Sequence, residues 1–296
     1  MSTRIELGDR LGLDQPSGWW PAPARLKSYE AAGFRYLQVR SPPSSLLRDK
    51  ELSSAHARAL RANLDLTGLQ LILHAPDDLL AGTRSGDRAL EGALRYAAAA
   101  GSELIVYHGA RVDPGSRRCH ERLAAEERSL RKALRLAART GVRIAIENLA
   151  PVYPGERYAS HQLEVVVGLA ERLDSAWAGL CLDIGHAHIA AGLTGQSLKK
   201  LIEPALSRVL VFHLHDNFGA DPDAQRPGSL EPVKLDLHLP PGAGSVPWPK
   251  IAKLLRKHGA PLQLEIHPGH RPEPSTLAIL ADQALRPTRS AATAAG

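Results

Sequence analysis

The chain has 296 residues, with 37 Lys and Arg against 31 Asp and Glu, which gives a formal net charge of +6 at pH 7. This length suffices for one domain with a large core, and the small positive surplus does not by itself identify a partner. The only cysteines are Cys119 and Cys181, which excludes a disulfide framework, and no apolar run approaches the roughly 18 to 20 residues of a membrane span. We therefore expect a soluble, cytoplasmic protein with no membrane partner.

Short apolar runs alternate with longer segments of helical pattern along the chain. The predicted strands are residues 4–7, 36–39, 69–74, 104–108, 143–147, 179–183, 209–213 and 262–265. In the segments between and after them, apolar residues recur three and four positions apart, which is typical of helices. The predicted helices are residues 24–32, 49–63, 87–100, 121–140, 161–173, 197–206, 249–258 and 274–285.

This alternation predicts an α/β fold in which eight parallel strands close into a barrel wrapped by helices, the (β/α)8 TIM barrel. A doubly wound open sheet is the alternative, but it would normally carry a glycine-rich phosphate loop after its first strand, and none is present. We expect residues 1–286 to form a single barrel and residues 287–296 to form a flexible C-terminal tail.

Six of the predicted strands end in a residue that can bind a metal ion. These residues are His74, His108, Glu147, Asp183, His213 and Glu265. In a barrel of this kind the active site lies at the carboxyl ends of the strands, so these side chains should meet at one rim. Carboxylate and neutral imidazole together suit a divalent metal such as Zn, Mn, Fe or Co.

Two further pairs extend the candidate metal site. His186 lies three residues after Asp183, and this pair either binds a metal or marks an aspartate that caps the next helix. Asp236 and His238 are two residues apart, so in an extended segment both side chains face the same way and can reach an ion beside His186. The alternative for the second pair is a solvated loop with incidental charge.

Four motifs resemble the xylose isomerase-like barrel superfamily over about Leu71 to Glu265. They are IEN at 146–148, CLDIGHA at 181–187, HLHDN at 213–217 and D-x-H-L-P-x-G-x-G at 236–244. That superfamily includes sugar isomerases and epimerases, inosose dehydratases and abasic-site nucleases of the endonuclease IV type, which carry divalent metal at the barrel mouth. The resemblance places the four ligands of the sugar epimerases at Glu147, Asp183, His213 and Glu265.

The nuclease pattern holds three zinc ions, and its ligand types are also all present. They fall on His74, His108, Glu147, Asp183, His186, His213, Asp236, His238 and Glu265. However, Leu237 stands where the nuclease has an arginine, and Asn217 and Phe218 stand where it has a lysine, so phosphate contacts are lost. The resemblance therefore favours an isomerase or epimerase over a nuclease. A barrel that only binds a ligand is the third alternative, and it gives no reason for a full set of costly buried ligands.

The resemblance implies a metal-dependent isomerase or epimerase of a sugar, sugar phosphate or polyol, with one to three ions of Zn, Mn, Co or Mg. Glu147 and Glu265 would move the proton next to the carbonyl that the metal polarises. His186, His215 and Trp248 are expected to contact substrate. Gln38 stands where many members carry a glutamate. Nucleic acid is an unlikely partner under this interpretation, and an oligomer is possible.

Overall fold

The computed structural model describes residues 7–16, 20–150, 158–220 and 235–286. Eight parallel strands in these ranges close into a barrel in chain order. The strands are β1 (Leu11–Asp14), β2 (Tyr36–Arg40), β3 (Gln70–His74), β4 (Leu104–His108), β5 (Arg143–Glu147), β6 (Ala178–Asp183), β7 (Val209–Leu214) and β8 (Leu262–Leu264). The (β/α)8 barrel predicted from the sequence is confirmed.

Helices follow the strands and cover the outside of the barrel. They are α1 (Pro23–Ala31), α2 (Ser44–Leu47), α3 (Lys50–Leu64), α4 (Arg84–Ala100), α5 (Cys119–Thr140), α6 (Leu163–Leu173), α7 (Ile184–Thr194), α8 (Leu198–Ile202), α9 (Trp248–Lys257) and α10 (Pro274–Ala284). Short 3-10 turns occupy Gly8–Arg10, Ala159–His161, Glu203–Arg208 and Pro268–His270. None of the helices in the described ranges has the length and apolar character needed to cross a membrane.

The first strand of the barrel lies later in the chain than the sequence pattern predicted. β1 pairs with β2 on one side and β8 on the other and so closes the barrel. Leu7 lies in a turn before β1, and residues 4–6 are outside the described residues. The assignment of residues 4–7 as the first barrel strand was therefore wrong. The predicted tail, residues 287–296, also lies outside the described residues.

The physical reason for this error is the composition of β1. Its two apolar side chains, Leu11 and Leu13, are separated by Gly12, so β1 lacks the run of apolar residues that marks the other strands. Glycine suits this position, because a Cβ there would lie 2.0 Å from Oε1 of the buried Gln263 on β8 and 2.9 Å from Cβ of Tyr36 on β2. Because close packing of β1 against its neighbours favours glycine at this position, β1 does not show the continuous apolar run by which the other strands were predicted.

Alternate residues of the strands form two separate cores. The cluster inside the barrel consists of Ile72, Leu104, Val106, Ala145, Cys181 and Val211. The intervening residues, such as Leu73, Ile146 and Leu182, pack outward in the larger cluster shared with the helices. Because residues two apart on a strand share a face, the side chains that follow the interior residues by two also point into the barrel. Five of the six predicted strand-end ligands occupy these positions, namely His74, His108, Glu147, Asp183 and His213.

Glycine is also needed where α4 packs against α2. A Cβ on Gly92 would lie 2.2 Å from the carbonyl oxygen of Leu47, whereas one on Gly168 of α6 would meet only the flexible end of Arg172 at 3.2 Å.

We expect Gly92→Ala to destabilise the protein by about 1–3 kcal/mol through overpacking. Gly168→Ala is the matched control, and it should be neutral or stabilise by up to about 1 kcal/mol. Urea unfolding midpoints measure both, and equal effects of the two changes would contradict this packing.

Candidate metal centre

The nine predicted ligands lie together at the carboxyl ends of the strands. Their ligand atoms fall into groups in which all members are within 4.8 Å of one another. We call His74, His108 and Glu147 the first group, Glu147, Asp183, His213 and Glu265 the second group, and His186, His215, Asp236 and His238 the third group. Glu147 and His213 form a further such group with Cys181, whose thiol lies on the interior face of β6.

Glu147 joins the first group to the second through its two carboxylate oxygens. Oε2 lies 3.3 Å from Nε2 of His74 and 3.3 Å from Nε2 of His108. Oε1 lies 3.1 Å from Nδ1 of His213. Although Glu147 is only 1% exposed, Oε2 has no hydrogen-bond partner among the described residues. A buried oxygen without a hydrogen bond is costly, and a cation held by the first group would satisfy it.

Asp183 caps the next helix with one carboxylate oxygen and keeps the other oxygen available to the second group. Its Oδ1 accepts a hydrogen bond from the backbone N–H of His186 at 2.7 Å and so caps α7. Its Oδ2 is buried without a hydrogen-bond partner in the described part of the chain, and it lies 3.9 Å from Nδ1 of His213. Helix capping therefore uses one oxygen and leaves the other for the second group.

Asp236 is the centre of the third group. Its Oδ2 lies 3.0 Å from Nε2 of His238 and 3.5 Å from Nε2 of His186. Its Oδ1 has no hydrogen-bond partner within the described ranges and lies 3.6 Å from Nε2 of His215. This arrangement matches the sequence expectation that Asp236 and His238 reach the same point as His186.

His215, expected to contact substrate, belongs to the third group and lies beside Asp183 of the second group. Its ring stacks on that of His238 with centroids 3.9 Å apart, and its Nε2 lies 3.1 Å from Oδ1 of Asp183. The geometry of that approach is not that of a hydrogen bond, and both ring nitrogens are unpaired among the described residues. Gly185 makes room for the ring, because a Cβ there would lie 2.1 Å from Cε1 of His215. His215 is therefore a candidate ligand that the sequence analysis placed in another role.

In four of the candidate ligand histidines, one ring nitrogen is hydrogen-bonded to a carbonyl oxygen. We call this the outer nitrogen and the other ring nitrogen the inner one. The pairs are His74 Nδ1 with Ala75 O at 2.7 Å, His186 Nδ1 with Asn148 O at 2.8 Å, His213 Nε2 with Gln38 Oε1 at 2.8 Å and His238 Nδ1 with Glu265 O at 2.9 Å. Because a carbonyl oxygen only accepts, the outer nitrogen must donate its N–H. The neutral form of each ring then carries its lone pair on the inner nitrogen, as a metal ligand requires.

Gln38 and Asn148 hold ligands in place, and the sequence analysis assigned neither of them this role. Gln38 accepts from His213 and donates from Nε2 to Oε1 of Glu265, so one neutral amide orients two ligands. The Asn148 side chain donates to the carbonyl oxygen of Asp183 at 3.0 Å and accepts from the N–H of Asp183 at 2.9 Å. The IEN motif contained the signal for Asn148, whereas nothing in the sequence showed the contacts of Gln38.

β1 adds a carboxylate that was missed because the strand was misplaced. Asp14 ends β1 as other carboxylates end β5 and β6, and it pairs with Arg271. Burial raises the pKa of Asp14 to about 6, although the charge of Arg271 opposes this rise. Asp14 belongs to none of the metal-competent groups in the described ranges.

Trp248 lies in the core and not at the mouth of the barrel. It is 3% exposed, and its indole N–H donates to Oδ2 of Asp216 at 2.8 Å. Asp216 also accepts from the N–H groups of Gly242 at 2.8 Å and Val246 at 3.0 Å. Asp216 therefore ties the loop before α9 to the start of that helix, and Trp248 does not provide the expected wall against a sugar.

The carboxylates and imidazoles of the three groups shift one another's pKa values. Burial raises the pKa of Glu147, but the charges of His213 and His108 hold it well below its usual value. Burial lowers the pKa of His213 and His238, but Glu265 raises that of His213 and Asp236 raises that of His238, each to about 9. Each histidine and its neighbouring carboxylate thus favour the charged form of the other.

Two cavities reach these groups. One of about 460 Å³ touches all three groups and has Arg40, Arg111 and Tyr158 on its outer wall. The other, of about 350 Å³, approaches Glu265 and His238 from the side of β1. A larger cavity, of about 820 Å³, opens at the opposite end of the barrel beside Arg143, away from the ligand groups.

The fold and these adjoining groups define a (β/α)8 barrel with a metal-competent mouth. The family model of the xylose isomerase-like TIM barrel matches residues 26–284. The chain therefore belongs to the xylose isomerase-like TIM barrel family, which confirms the resemblance of its motifs. Comparison with curated proteins finds no match to the sequence.

Several solved structures share the fold. A D-tagatose 3-epimerase-like protein is 18% identical with a TM-score of 0.71, covering 93% of this chain and 97% of its own. D-psicose 3-epimerase of Clostridium cellulolyticum H10, solved with D-tagatose, is 16% identical with a TM-score of 0.67, covering 93% and 96%. The IolI protein, solved with a bound zinc atom, is 15% identical with a TM-score of 0.66, covering 93% and 96%. At these identities the likeness shows the fold alone.

The coupling of protons to the ligands predicts a pH dependence of stability. A histidine whose pKa rises on folding from 6.5 to about 9 stabilises the folded chain while protonated, and this stabilisation is lost as the pH rises through about 9. With a chelator present, the melting temperature should therefore fall between pH 6.5 and pH 9. With zinc present the fall should be smaller, because a metal ligand is already deprotonated.

A matched pair of variants separates this effect from general alkaline destabilisation. His238→Gln should reduce the fall in melting temperature seen with the chelator, because it removes one of the histidines whose pKa is raised on folding. His120→Gln, an exposed substitution at the start of α5, should leave the fall unchanged. Equal falls with zinc and with chelator would contradict the assignment of these histidines as ligands.

Proposed function

We propose that the protein is a divalent-metal-dependent isomerase or epimerase of small sugars, sugar phosphates or polyols. The observation that carries this proposal is the second group, in which Glu147 and Glu265 approach the same imidazole nitrogen. Nδ1 of His213 lies 3.1 Å from Glu147 Oε1 and 3.4 Å from Glu265 Oε2. A substrate bound there would have two carboxylates from different strands within reach.

The donor set of all three groups fits a divalent metal. In the described part of the chain, buried side-chain atoms without hydrogen-bond partners include Glu147 Oε2, Asp183 Oδ2, Asp236 Oδ1 and both ring nitrogens of His215. Each of them belongs to a ligand group. Imidazole and carboxylate donors suit Zn, Mn or Co, and Mg would suit the carboxylate-rich second group. We propose between one and three ions.

The chain's own residues suit proton transfer next to a carbonyl. A bound metal would polarise the substrate carbonyl and make the neighbouring carbon more acidic. Although burial raises the pKa of Glu147 and Glu265, neighbouring histidines hold both pKa values below the usual value, so both side chains are ionised and can accept a proton. Gln38 donates to Oε1 of Glu265 and thereby keeps Oε2 directed toward the second group. In an epimerisation one carboxylate removes the proton and the other returns it on the opposite face.

The relatives support this substrate class. The similar folds include a D-tagatose 3-epimerase-like protein and a D-psicose 3-epimerase solved with D-tagatose, and the IolI structure contains zinc. We therefore propose that this site binds a small-molecule sugar or polyol through its metal and the surrounding side chains. We do not propose a macromolecular partner.

One observation favours a second candidate, metal-dependent phosphodiester hydrolysis. The three groups adjoin. Glu147 belongs to the first and the second group, and His215 of the third group contacts Asp183 of the second. Such an arrangement suits several ions that clamp a phosphate. Against it, Leu237, Asn217 and Phe218 offer no cation where the nuclease pattern has one. The two candidates differ in what they require of the third group.

Substitution of Asp236 separates the two candidates. If only the second group operates, Asp236→Asn should retain metal bound at that group and much of the activity, whereas Glu147→Gln should abolish turnover. If all three groups operate, Asp236→Asn should lose part of the metal and nearly all activity. Metal content by mass spectrometry and turnover measure both, with Asp65→Asn, an exposed residue at the other end of the barrel, as the matched control. Unaltered rates in Glu147→Gln would overturn both candidates.

Solvent exchange tests the proposed chemistry directly. In heavy water with metal and a ketose such as D-tagatose, D-psicose or D-fructose, the enzyme should place deuterium on the carbon next to the carbonyl. The base exchanges its proton with solvent before returning it, so label appears in recovered substrate and product. Mass spectrometry of the sugar measures this label, and Glu265→Gln should suppress it. Nicking of an abasic-site duplex that is lost in Glu147→Gln, with no label in any sugar, would establish the second candidate instead.

A further inference from the structure

His108 differs from the four histidines whose outer nitrogen donates to a carbonyl oxygen. Its outer nitrogen, Nδ1, accepts a hydrogen bond from Nη2 of Arg111 at 2.8 Å. A guanidinium group only donates, so Nδ1 must carry a lone pair and the N–H of the neutral ring must be on Nε2. This Nε2 atom lies 3.3 Å from Oε2 of Glu147, without the geometry of a hydrogen bond. With Arg111 in this position, neither ring nitrogen of His108 is free to bind a metal in the first group.

Asp77 offers the alternative partner that His108 would need as a ligand. Its Oδ1 lies 3.5 Å from Nδ1 of His108 and accepts from Nη1 of Arg40 at 2.8 Å. A carboxylate oxygen can accept two hydrogen bonds, so Asp77 can keep Arg40 and also accept from His108. A carboxylate behind a metal-binding imidazole is the common arrangement. Arg111 must then leave, because two donors would otherwise face each other.

Once released from His108, the side chain of Arg111 would remain at the outer wall of the 460 Å³ cavity. Arg111 and Arg40 both border this cavity, with the carboxylate of Asp77 beside them. Two guanidinium groups against one carboxylate leave a net positive charge, and each guanidinium has more donors than its hydrogen bonds with described residues use. Planar guanidinium groups bind phosphate and carboxylate in bidentate fashion. This corner of the cavity therefore suits an anionic group.

We propose that Arg111 is a metal-gated anion-binding residue: when the first group holds a metal ion, His108 turns its N–H to Asp77, and the released Arg111 binds with Arg40 an anionic group of the substrate. The inference rests on the proposed function only in that the substrate enters this cavity. It narrows the substrate class from sugars in general to those that carry a phosphate or a carboxylate.

Anion binding measured without turnover tests this proposal. Calorimetric titrations with inorganic phosphate, and separately with acetate, use the metal-free and the zinc-loaded protein. The zinc-loaded wild type should bind one of these anions at least tenfold more tightly than zinc-loaded Arg111→Gln, whereas the two metal-free proteins should bind it equally. Arg117→Gln, an exposed arginine of the same connection before α5, is the matched control and should behave as wild type. The tighter anion identifies phosphate or carboxylate as the recognised group.

Nitrogen NMR of the histidine rings tests the gating step. Zinc should move His108 from the form protonated on Nε2 to the form protonated on Nδ1, and Asp77→Asn should weaken zinc binding by about tenfold or more. The proposal is overturned if His108 keeps its proton on Nε2 in the zinc-loaded protein. It is also overturned if Arg111→Gln binds both anions as wild type does, or if its deficit is the same without zinc. None of these outcomes depends on the solvent-exchange result, so the two proposals fail separately.

Discussion

Buried carboxylates at the mouth of the barrel are the constraint on which the rest of the site depends. Glu147 and Asp183 are almost completely buried, and each keeps an oxygen without a hydrogen-bond partner among the described residues. Burying an ionised carboxylate costs several kcal/mol unless opposite charge and hydrogen bonds compensate. The surrounding imidazoles compensate either as imidazolium ions or as neutral ligands that hold a cation. Stability of the barrel mouth is therefore coupled to protons and metal, and changes to its ligands should not be additive.

The barrel itself fixes which nitrogen each histidine presents. The outer nitrogens of His74, His186 and His238 donate to main-chain carbonyl oxygens of Ala75, Asn148 and Glu265, which lie at or just beyond the ends of β3, β5 and β8. These carbonyl groups cannot be changed by substitution and move only with the strands. The main chain at the strand ends thus selects the tautomer of these three ligands, while the side chain of Gln38 does so for His213.

The sequence predicted the barrel and the convergence of the ligands because both follow from local periodicity. Strand ends in a parallel barrel meet at one rim, so a metal-competent residue at each end is enough to locate the site. The errors arose where non-local contacts decide. β1 was misplaced because Gly12 is needed for packing against β8, and Trp248 was assigned to the substrate although Asp216, distant in sequence, holds its indole in the core. His215 owes its position to Gly185, a contact that no sequence period encodes.

The sharing of Glu147 between groups links the number of metal ions to the kind of reaction. Oε2 of Glu147 faces the first group and Oε1 faces the second, so occupation of both groups would engage both oxygens. Glu147 would then be the weaker base of the two, because a cation would face each of its oxygens, and Glu265 would be the stronger base. A transfer between opposite faces of a carbon needs two bases, whereas transfer to the neighbouring carbon needs one. Filling the first group therefore favours one-base isomerisation or hydrolysis, and an empty first group leaves Glu147 free for epimerisation.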